Sequence, residues 1–442
     1  MTATILERHT RTITSAPPSF WESLPILQQI QQHARSRLVS PWAVLGVVLT
    51  RIVATVAPEV VLPPIIGGPA SLNLFVALVA KSGVGKGGAE SAGREYCQWH
   101  MPIRFSEMNL GSGEGIATAF GHTVKNPDDG SSQFEQHTDS VLFSVPEIDT
   151  FLALSGRAGS TISSEMRKLW SGESLGFNNR SAERSAVVPA HHYRASMLIG
   201  VQPERSGALL DEEAGGLPQR MLWLSASDPA IPDIAPDTVP PMFEWQPPTV
   251  EANEHGKRVL TVCYEARDEI ERNHRARNRG EGDALDGHSL LTRLKVAAAL
   301  NLLAQAPVPG VSADDWRLAG LVMEESARVR QSCVDTLRDT ARASNLARAL
   351  ARGEADVETD VRAADVSIAK VKARVLSIIG AAPVAKGRVQ AGLSKRLREY
   401  LDAALYELED DGKISIREEV YRGQETYQIS LNPLSAGETT NA

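Results

Sequence analysis

A glycine-rich segment followed by a lysine is the most specific chemical signal in the chain. Residues 81–88 read KSGVGKGG, after a continuous apolar run at 72–80 and before a segment of helical character. The backbone N–H groups of such a loop, at the start of a helix, can surround phosphate oxygens while the lysine offsets their charge. The pattern predicts a phosphate-binding loop, and a purely structural glycine turn is the alternative.

The residues assigned to the phosphate cradle are Ser82, Gly83, Val84, Gly85, Lys86, Gly87 and Gly88. Two positions depart from the general P-loop pattern. Ala80 stands where the first glycine belongs, and Gly87 stands where a hydroxyl would bind Mg²⁺. The apolar run before the loop and the helical segment after it still favour phosphate binding, but Gly87 supplies no ligand for the metal.

Acidic residues follow a second apolar run, at 141–145, which ends in the sequence PEID. P-loop ATPases carry acidic residues at the end of a neighbouring strand, where they help to hold Mg²⁺ and orient the attacking water. We predict Glu147 as the catalytic base and place Asp149 near the metal. A strand-end turn with solvated carboxylates is the alternative. Pro146 occupies the usual aspartate position, so nucleotide binding without turnover stays open.

Three further polar residues are candidates for a phosphate site. Gln202 follows a third apolar run, at 195–201, and its amide could contact the terminal phosphate or be an ordinary loop amide. Arg220 is a lone cation in GGLPQRMLW. Its forked guanidinium suits a finger into a neighbouring subunit's nucleotide, with an intramolecular contact as the alternative. Arg293 is a second candidate phosphate sensor, unless it is only a solvated surface group.

Basic residues indicate two local nucleic-acid surfaces. The first set contains Lys386, Arg388, Lys395, Arg396 and Arg398, in a stretch without acidic residues. Helix-turn-helix modules contact phosphates with such patches, although many related modules bind proteins instead. The second set contains Arg157, Lys168, Arg180 and Arg184, which lie near Phe177 in the sequence and could track a single strand in a ring channel. A solvated helix face is the alternative for the second set.

The three apolar runs explain how these residues could come together. Each run stops abruptly at polar residues, as expected for buried parallel strands whose carboxyl ends form a ligand site. Before them, apolar residues at helical spacing in 24–34 and the pair Ser40–Pro41 predict two helices. The predicted fold class is α/β: a P-loop NTPase core with a parallel sheet flanked by helices, a helical lid and a C-terminal winged-helix domain.

Proline-rich and charged stretches divide the chain. The predicted organisation is a flexible arm at 1–19, an N-terminal helical region at 20–65, a P-loop ATPase core at 66–228, a Pro-rich linker at 229–249, a helical lid region at 250–352, a charged linker at 353–365, a winged-helix domain at 366–432 and a disordered tail at 433–442.

Composition excludes several classes of protein. The 442 residues are 42% hydrophobic and 23% charged, as in globular proteins. A net charge of −8 means that any nucleic-acid surface is local. The widely spaced Cys97, Cys263 and Cys333 form neither a metal knuckle nor a disulfide framework, which favours a reducing cytoplasm. No apolar stretch approaches the roughly 20 residues of a membrane span, so we expect no membrane partner.

Several segments together carry a family resemblance over about 20–350; they are FWESLPILQQI, SPWAVLGVVLTRIVA, LPPIIGGPASLNLFVALVAKSGVGKG, GSGEGI, PEID, GVQPE, GLPQRMLW and DDWRLA. The chain resembles the P-loop (AAA+ or RecA-like) replicative helicase-type ATPases of actinobacterial phages, plasmids and integrated elements. These are often associated with primase–polymerases. The resemblance implies a ring-forming core, with Lys86 as the loop lysine, Glu147 as the acidic strand end and Arg220 as the arginine.

The expected function is a DNA-dependent ATPase, a ring-forming replicative helicase or translocase of a mobile genetic element that uses ATP and Mg²⁺. Single-stranded DNA would lie in the channel and duplex DNA at the winged helix. The resemblance allows a homo-oligomeric ring such as a hexamer, and a primase–polymerase as a further partner. The alternative is a non-catalytic or slowly hydrolysing, ATP-assembled DNA-binding initiator or loader. A defence or regulatory role is also open.

Overall fold

The chain is described by a computed structural model, which covers residues 18–99, 105–125, 132–177, 186–236, 240, 242–281, 288–380, 382–421 and 424–432. Arg180, Arg184, the tail at 433–442 and nearly all of the predicted arm lie outside the described residues. The chain divides into two compact units, 1–340 and 341–442.

The helices follow one another along the chain as α1 (Pro18–Trp21), α2 (Pro25–Ser36), α3 (Pro41–Thr55), α4 (Lys86–Tyr96), α5 (Gly113–Thr118), α6 (Ile148–Ser155), α7 (Ile162–Ser171), α8 (Gly207–Leu210), α9 (Tyr264–Asn278), α10 (Ser289–Leu303), α11 (Ala313–Ile378), α12 (Lys386–Ala391) and α13 (Leu401–Asp410).

The strands are β1 (Val60–Leu62), β2 (Ala70–Ser71), β3 (Leu74–Val79), β4 (Cys97–Trp99), β5 (Ser106–Asn109), β6 (Gly121–Lys125), β7 (Ser132–Gln136), β8 (Ser140–Val145), β9 (Leu175–Phe177), β10 (Ala186–Val188), β11 (Arg194–Val201), β12 (Met221–Ser225), β13 (Phe243–Trp245), β14 (Arg258–Val259), β15 (Thr261–Val262), β16 (Gly310–Val311), β17 (Val384–Ala385), β18 (Ile414–Tyr421) and β19 (Gln424–Leu431).

A five-stranded sheet forms the centre of the first unit, in the order β12-β3-β11-β8-β5. Every neighbouring pair in it is parallel. The strands β3, β8 and β11 are the three apolar runs of the sequence, and almost all of their residues are buried. The prediction of a parallel sheet flanked by helices is confirmed.

The two faces of this sheet pack against different helices. Alternate residues of β3 enter different cores, with Val76 on one face and Ala77 on the other. The helix α3 covers the first face closely: a Cβ at Gly46 would lie 2.9 Å from Val76 Cγ1. The helix α4 packs on α3, since a Cβ at Gly93 would lie 2.7 Å from Val47 Cβ. Glycines in α3 and α4 thus permit a dense layer on this face.

Ser40 and Pro41 begin α3, as predicted, although the serine hydroxyl does not cap the helix. Its Oγ instead donates a hydrogen bond to the carbonyl oxygen of Ser225, 2.6 Å away at the end of β12. Proline at the first position needs no N–H partner there and fixes a helical φ. The start of α3 is therefore anchored to the carboxyl edge of the sheet.

Two buried cations lie at the amino ends of the central strands, opposite the carboxyl ends that Ser40 contacts. Arg194, the first residue of β11, donates to the carbonyl oxygens of Val56, Ala57 and Val60 and to the side chains of Ser71 and Asn73. Burial lowers the pKa of Arg194 to about 9.

The second cation is Lys295, on α10. Its Nζ donates to the carbonyl oxygens of Asn73 at 3.0 Å and Trp170 at 2.6 Å, and it lies over the Trp170 ring. Burial lowers the pKa of Lys295 well below its usual range. These carbonyl contacts offset part of the cost of desolvating a charge.

The Pro-rich segment 229–249 and the region 250–352 are predicted from sequence as a linker and a lid. In the structure, Phe243 and Trp245 of the first segment are buried, and Trp245 Nε1 donates to the carbonyl oxygen of Leu302 at 3.2 Å. The helix α10 is buried along most of its length in the same core as α3. The two regions up to residue 340 therefore belong to the first compact unit.

The second unit contains the end of α11, then α12, a 3₁₀ turn at Lys395–Tyr400, α13 and the antiparallel hairpin of β18 and β19. Its core includes Val371, Val375, Leu405 and Ile429. This is the predicted order of helices followed by a two-stranded hairpin. Residues 353–365, predicted as a charged linker, lie inside the continuous helix α11.

Candidate functional site

The glycine loop joins the end of β3 to the start of α4. Gly83 and Gly85 have φ values of +79° and +95°, a region that favours glycine. A Cβ at Gly83, Gly85 or Gly87 would meet nothing within 4 Å, so the loop borders open space. The unpaired N–H groups of the first turn of α4 are thus available to an anion.

Lys86 is the first residue of α4, and its side chain folds back along the loop. Its Nζ donates a hydrogen bond to the carbonyl oxygen of Ala80, 3.1 Å away. Because Gly200, near the end of β11, has no side chain, Lys86 and the end of β8 can approach it closely. A Cβ there would lie 3.4 Å from Lys86 Cε and only 2.0 Å from the Pro146 carbonyl oxygen. Lys86, Gly200 and Pro146 therefore meet at one point.

Glu147 and Gln202 extend this meeting point beyond β8 and β11. Gln202 Nε2 donates to Glu147 Oε2 at 2.9 Å. Next to them, Arg205 donates to the Asp149 carboxylate. The predicted residues Lys86, Glu147 and Gln202 are thus brought to adjacent strand ends. Sequence reasoning missed Arg205, whose only signal was a cation in the QPER segment after β11.

The helices that follow β3 and β11 leave on opposite faces of the sheet. After β3, Ala89 and Tyr96 of α4 join the core under α3, whereas Leu209 of α8, after β11, joins the other core. In open parallel sheets, such a reversal between adjacent strands opens a crevice at their carboxyl ends, where ligands bind. By this rule, the ligand site is expected between β3 and β11, beside Lys86.

The charges of the site fit a phosphate chain better than an isolated metal ion. The loop offers the positive end of α4 and the Lys86 amine, with carboxylates at the next strand end. Gly87 carries no hydroxyl, and Asp149 is paired with Arg205. Among the described residues, no group of three or more His, Cys, Asp or Glu side chains could hold a metal. The loop thus fits phosphates, and Gly87 supplies no hydroxyl ligand for Mg²⁺ at the position after Lys86.

Arg220 is a buried residue immediately before β12. It therefore lies at the amino ends of the strands, whereas the glycine loop follows the carboxyl end of β3. Arg220 is 8% exposed, its Nη1 donates to the Gly215 carbonyl oxygen at 2.8 Å, and it faces the Trp170 ring. Burial, followed by the charge of Arg167, lowers its pKa to about 10. This geometry favours the intramolecular alternative over the predicted finger.

Arg293 contacts no residue of the glycine loop in the described part of the chain. Its Nη1 lies 3.1 Å from Glu269 Oε1, and its guanidinium donates to the Trp316 carbonyl oxygen while stacking on the Trp316 ring. These contacts fasten α10 to α9 and α11. The structure thus gives Arg293 a packing role and places it apart from the predicted phosphate site.

The C-terminal basic residues have two kinds of environment. Lys386 pairs with Asp402 at 2.5 Å, and Arg398 Nε donates to the Leu393 carbonyl oxygen. Arg398 is exposed despite this bond, and Arg388, Lys395 and Arg396 are exposed with neither an ion pair nor a side-chain hydrogen bond among the described residues. These three side chains remain accessible to an anionic partner.

Comparison with known proteins adds no family to these observations. A scan against models of protein families found no match, and a search of curated protein sequences also found none. Within the described residues, no helix combines the length and apolarity needed to cross a membrane. The arrangement of the glycine loop, Glu147 and Gln202 is therefore the basis on which a function can be proposed.

Proposed function

We propose that the chain binds ATP in the crevice between β3 and β11 and hydrolyses it to move along DNA. The observation that carries this proposal is the meeting of Lys86, Gly200 and Pro146, with Glu147 and Gln202 bonded beside them. A phosphate loop next to an acidic strand end is the arrangement that P-loop ATPases use. Bound ATP would supply the phosphoanhydride bond that is cleaved.

Each residue then has a defined task. The N–H groups at the start of α4 and the Lys86 amine bind the phosphates. Glu147 accepts a proton from the attacking water, and Gln202 orients the carboxylate through the 2.9 Å hydrogen bond. Arg205 is exposed beside Asp149 and offers a cation for charge that develops on the phosphates. Arg293 has no role in phosphate sensing here, because it pairs with Glu269 and stacks on Trp316.

We also propose that the second unit is a winged-helix module that contacts duplex DNA. Its helices and hairpin support this assignment, as do the exposed side chains of Arg388, Lys395 and Arg396. Replacing Lys395 and Arg396 together by Ala should remove about two phosphate contacts. The plot of log binding constant against log salt concentration should therefore become less steep by about two. The matched control is Lys386→Ala, because Lys386 is already paired with Asp402.

The family resemblance supports the remaining parts of the proposal. They are a ring such as a hexamer, single-stranded DNA in its channel, a primase–polymerase partner and a replicative role in a mobile element. Arg220 is buried, so a trans-acting arginine at a ring contact would require another residue or a rearranged Arg220. Native mass spectrometry with and without ATP tests the ring directly.

The second candidate is an ATP-assembled initiator or loader that hydrolyses slowly or not at all. Gly87 favours it, because the loop lacks the hydroxyl that usually ligates Mg²⁺. Under this alternative Lys86 still binds phosphate, and nucleotide acts only to assemble the protein on DNA. A cytoplasmic location follows from either candidate, since both act on DNA with ATP.

Nucleotide binding is the first test, and fluorescence titration with an ATP analogue measures it. We expect Lys86→Ala to weaken binding by about tenfold or more, since a charge-assisted phosphate contact is lost. Lys81→Ala is the matched control, because Lys81 is an exposed lysine of the same loop. Equal affinities for the two variants would contradict the assigned site.

A further inference from the structure

Part of α11 is a helix that no other part of the described chain covers. Every residue from 341 to 360 is exposed. Isolated helices are marginal in water, and Gly353 in the middle lowers helix propensity by about 1 kcal/mol relative to alanine. A Cβ at Gly353 would meet nothing within 4 Å, so no contact within the chain requires glycine there. We call residues 341–367 the exposed segment; within it only Ala364 and Ser367 are part-buried.

The exposed segment carries an apolar stripe along one face. Leu346, Leu350, Val357 and Val361 are 63%, 61%, 64% and 54% exposed. Their spacing of four, seven and four residues keeps them on one side of an α-helix. Helical stripes of this kind are normally buried against another helix.

The stripe is nearly symmetric about the bond between Gly353 and Glu354. Leu350 and Val357 lie at equal distances from that bond, and so do Leu346 and Val361. In an antiparallel pair of identical helices centred there, each leucine of one copy faces a valine of the other. Gly353, beside the axis, would let the two backbones approach closely.

Charge separation favours the same orientation. The half before Gly353 is basic and the half after it is mainly acidic; the basic residues are Arg342, Arg348 and Arg352, and the acidic ones are Glu354, Asp356, Glu358, Asp360 and Asp365. Arg362 is the exception in the acidic half, and it pairs with Glu358 of its own helix. Arg348 and Arg352 lie on the side away from the stripe, so their charges act at a distance: an antiparallel pair places the basic half of one copy beside the acidic half of the other, whereas a parallel pair places like halves together.

We infer that the exposed segment pairs with the same segment of a second copy of this chain, in antiparallel orientation. Such a contact is isologous and therefore closes on two copies. It differs from a head-to-tail contact around a ring, so it would join chains two by two. The inference rests on the stripe and the charges and is independent of ATP binding.

Cross-linking of the full-length chain tests the orientation. In a Cys263→Ser background, cysteine replaces Leu346, Gly353 or Val361 singly, and a short bismaleimide is added. Positions 346 and 361 are about 22 Å apart along a helix at 1.5 Å per residue. We expect Gly353→Cys to cross-link with itself, and Leu346→Cys only when mixed with Val361→Cys.

Parallel pairing would instead cross-link Leu346→Cys and Val361→Cys each to itself, and their mixture would give no product that joins position 346 to position 361. A different protein as the partner would leave all purified samples uncross-linked. Either result overturns the inference.

Sedimentation provides an independent measurement: the double variant Leu350→Glu with Val357→Glu should weaken self-association at least tenfold, while Thr359→Glu on the opposite side should not. Circular dichroism of both variants checks that the fold is kept.

Discussion

Gln202 Nε2 donates a hydrogen bond of 2.9 Å to Glu147 Oε2, and this contact joins the ends of two adjacent strands. The residues are far apart in sequence and meet because β8 and β11 pair in parallel. The contact holds the carboxylate in one orientation near the glycine loop. It therefore links the proposed base to the strand that carries Gly200, against which Lys86 lies.

This pair should control hydrolysis more than nucleotide binding. Glu147→Gln keeps the hydrogen-bonding shape but loses the base, so we expect turnover to fall by about a hundredfold or more. Gln202→Ala should lower turnover by about tenfold, because Glu147 loses its orienting partner. Steady-state ATPase assays and nucleotide titrations of both variants measure the two effects. A parallel loss of affinity and turnover would contradict the roles of Glu147 as base and Gln202 as its orienting partner.

Gly87 offers a test by gain of function. A Cβ at this position would meet nothing within 4 Å, so a serine fits without displacing its surroundings. If the loop binds phosphates as proposed, Gly87→Ser restores the usual hydroxyl, and we expect tighter binding of ATP with Mg²⁺ than without it. Gly88→Ser moves the hydroxyl by one residue and is the control. Identical Mg²⁺ dependence in the two variants would count against the loop assignment.

Arg220 and Arg205 should respond differently to truncation. Arg220→Ala removes a buried guanidinium from the Gly215 carbonyl and the Trp170 ring, so the free energy of unfolding should fall by about 2 kcal/mol or more. Arg205 is exposed, and Arg205→Ala should leave stability within about 0.5 kcal/mol while lowering turnover. Chemical denaturation and ATPase assays distinguish the two. A stable, inactive Arg220→Ala protein would restore the finger hypothesis.

His288 should make the first unit sensitive to mild acid. Burial, with Arg220, Arg277 and Lys295 nearby, lowers its pKa from 6.5 to about 4. Between these values the unfolded chain binds the proton and the folded chain does not, so stability falls as pH drops from 6.5 towards 4. We expect a loss of about 1 to 2 kcal/mol at pH 5 relative to pH 7.5. His288→Gln should flatten this part of the pH profile in urea unfolding.

The sequence predicts those parts of the fold that local patterns encode. The strands β3, β8 and β11 are continuous apolar runs, and the glycine loop follows the first of them directly. The edge strand β5 has the polar sequence SEMN, with alternately half-buried and exposed residues, so no apolar pattern marks it. The packing of α10 on α3 is not visible in the sequence, because contacts between two distant helices have no local signature.

The candidate site shows the same limit. Lys86, Glu147 and Gln202 can be identified because each follows a strand, and the structure brings them together. The burial of Arg220 depends on Trp170, which comes from α7 and is distant in sequence. The pairing of Arg205 with Asp149 likewise depends on how α6 and the turn after β11 meet. Contacts between distant segments are set by strand order, which apolar spacing alone does not reveal.

ATP hydrolysis by the purified chain, with and without single- or double-stranded DNA, is the most direct measurement of the central claim. The comparison includes Lys86→Ala at the same protein concentration. We predict turnover that DNA stimulates and that Lys86→Ala abolishes. Turnover no higher than that of Lys86→Ala, with ATP still bound by the unmodified chain, would contradict the motor and leave an ATP-assembled DNA-binding protein.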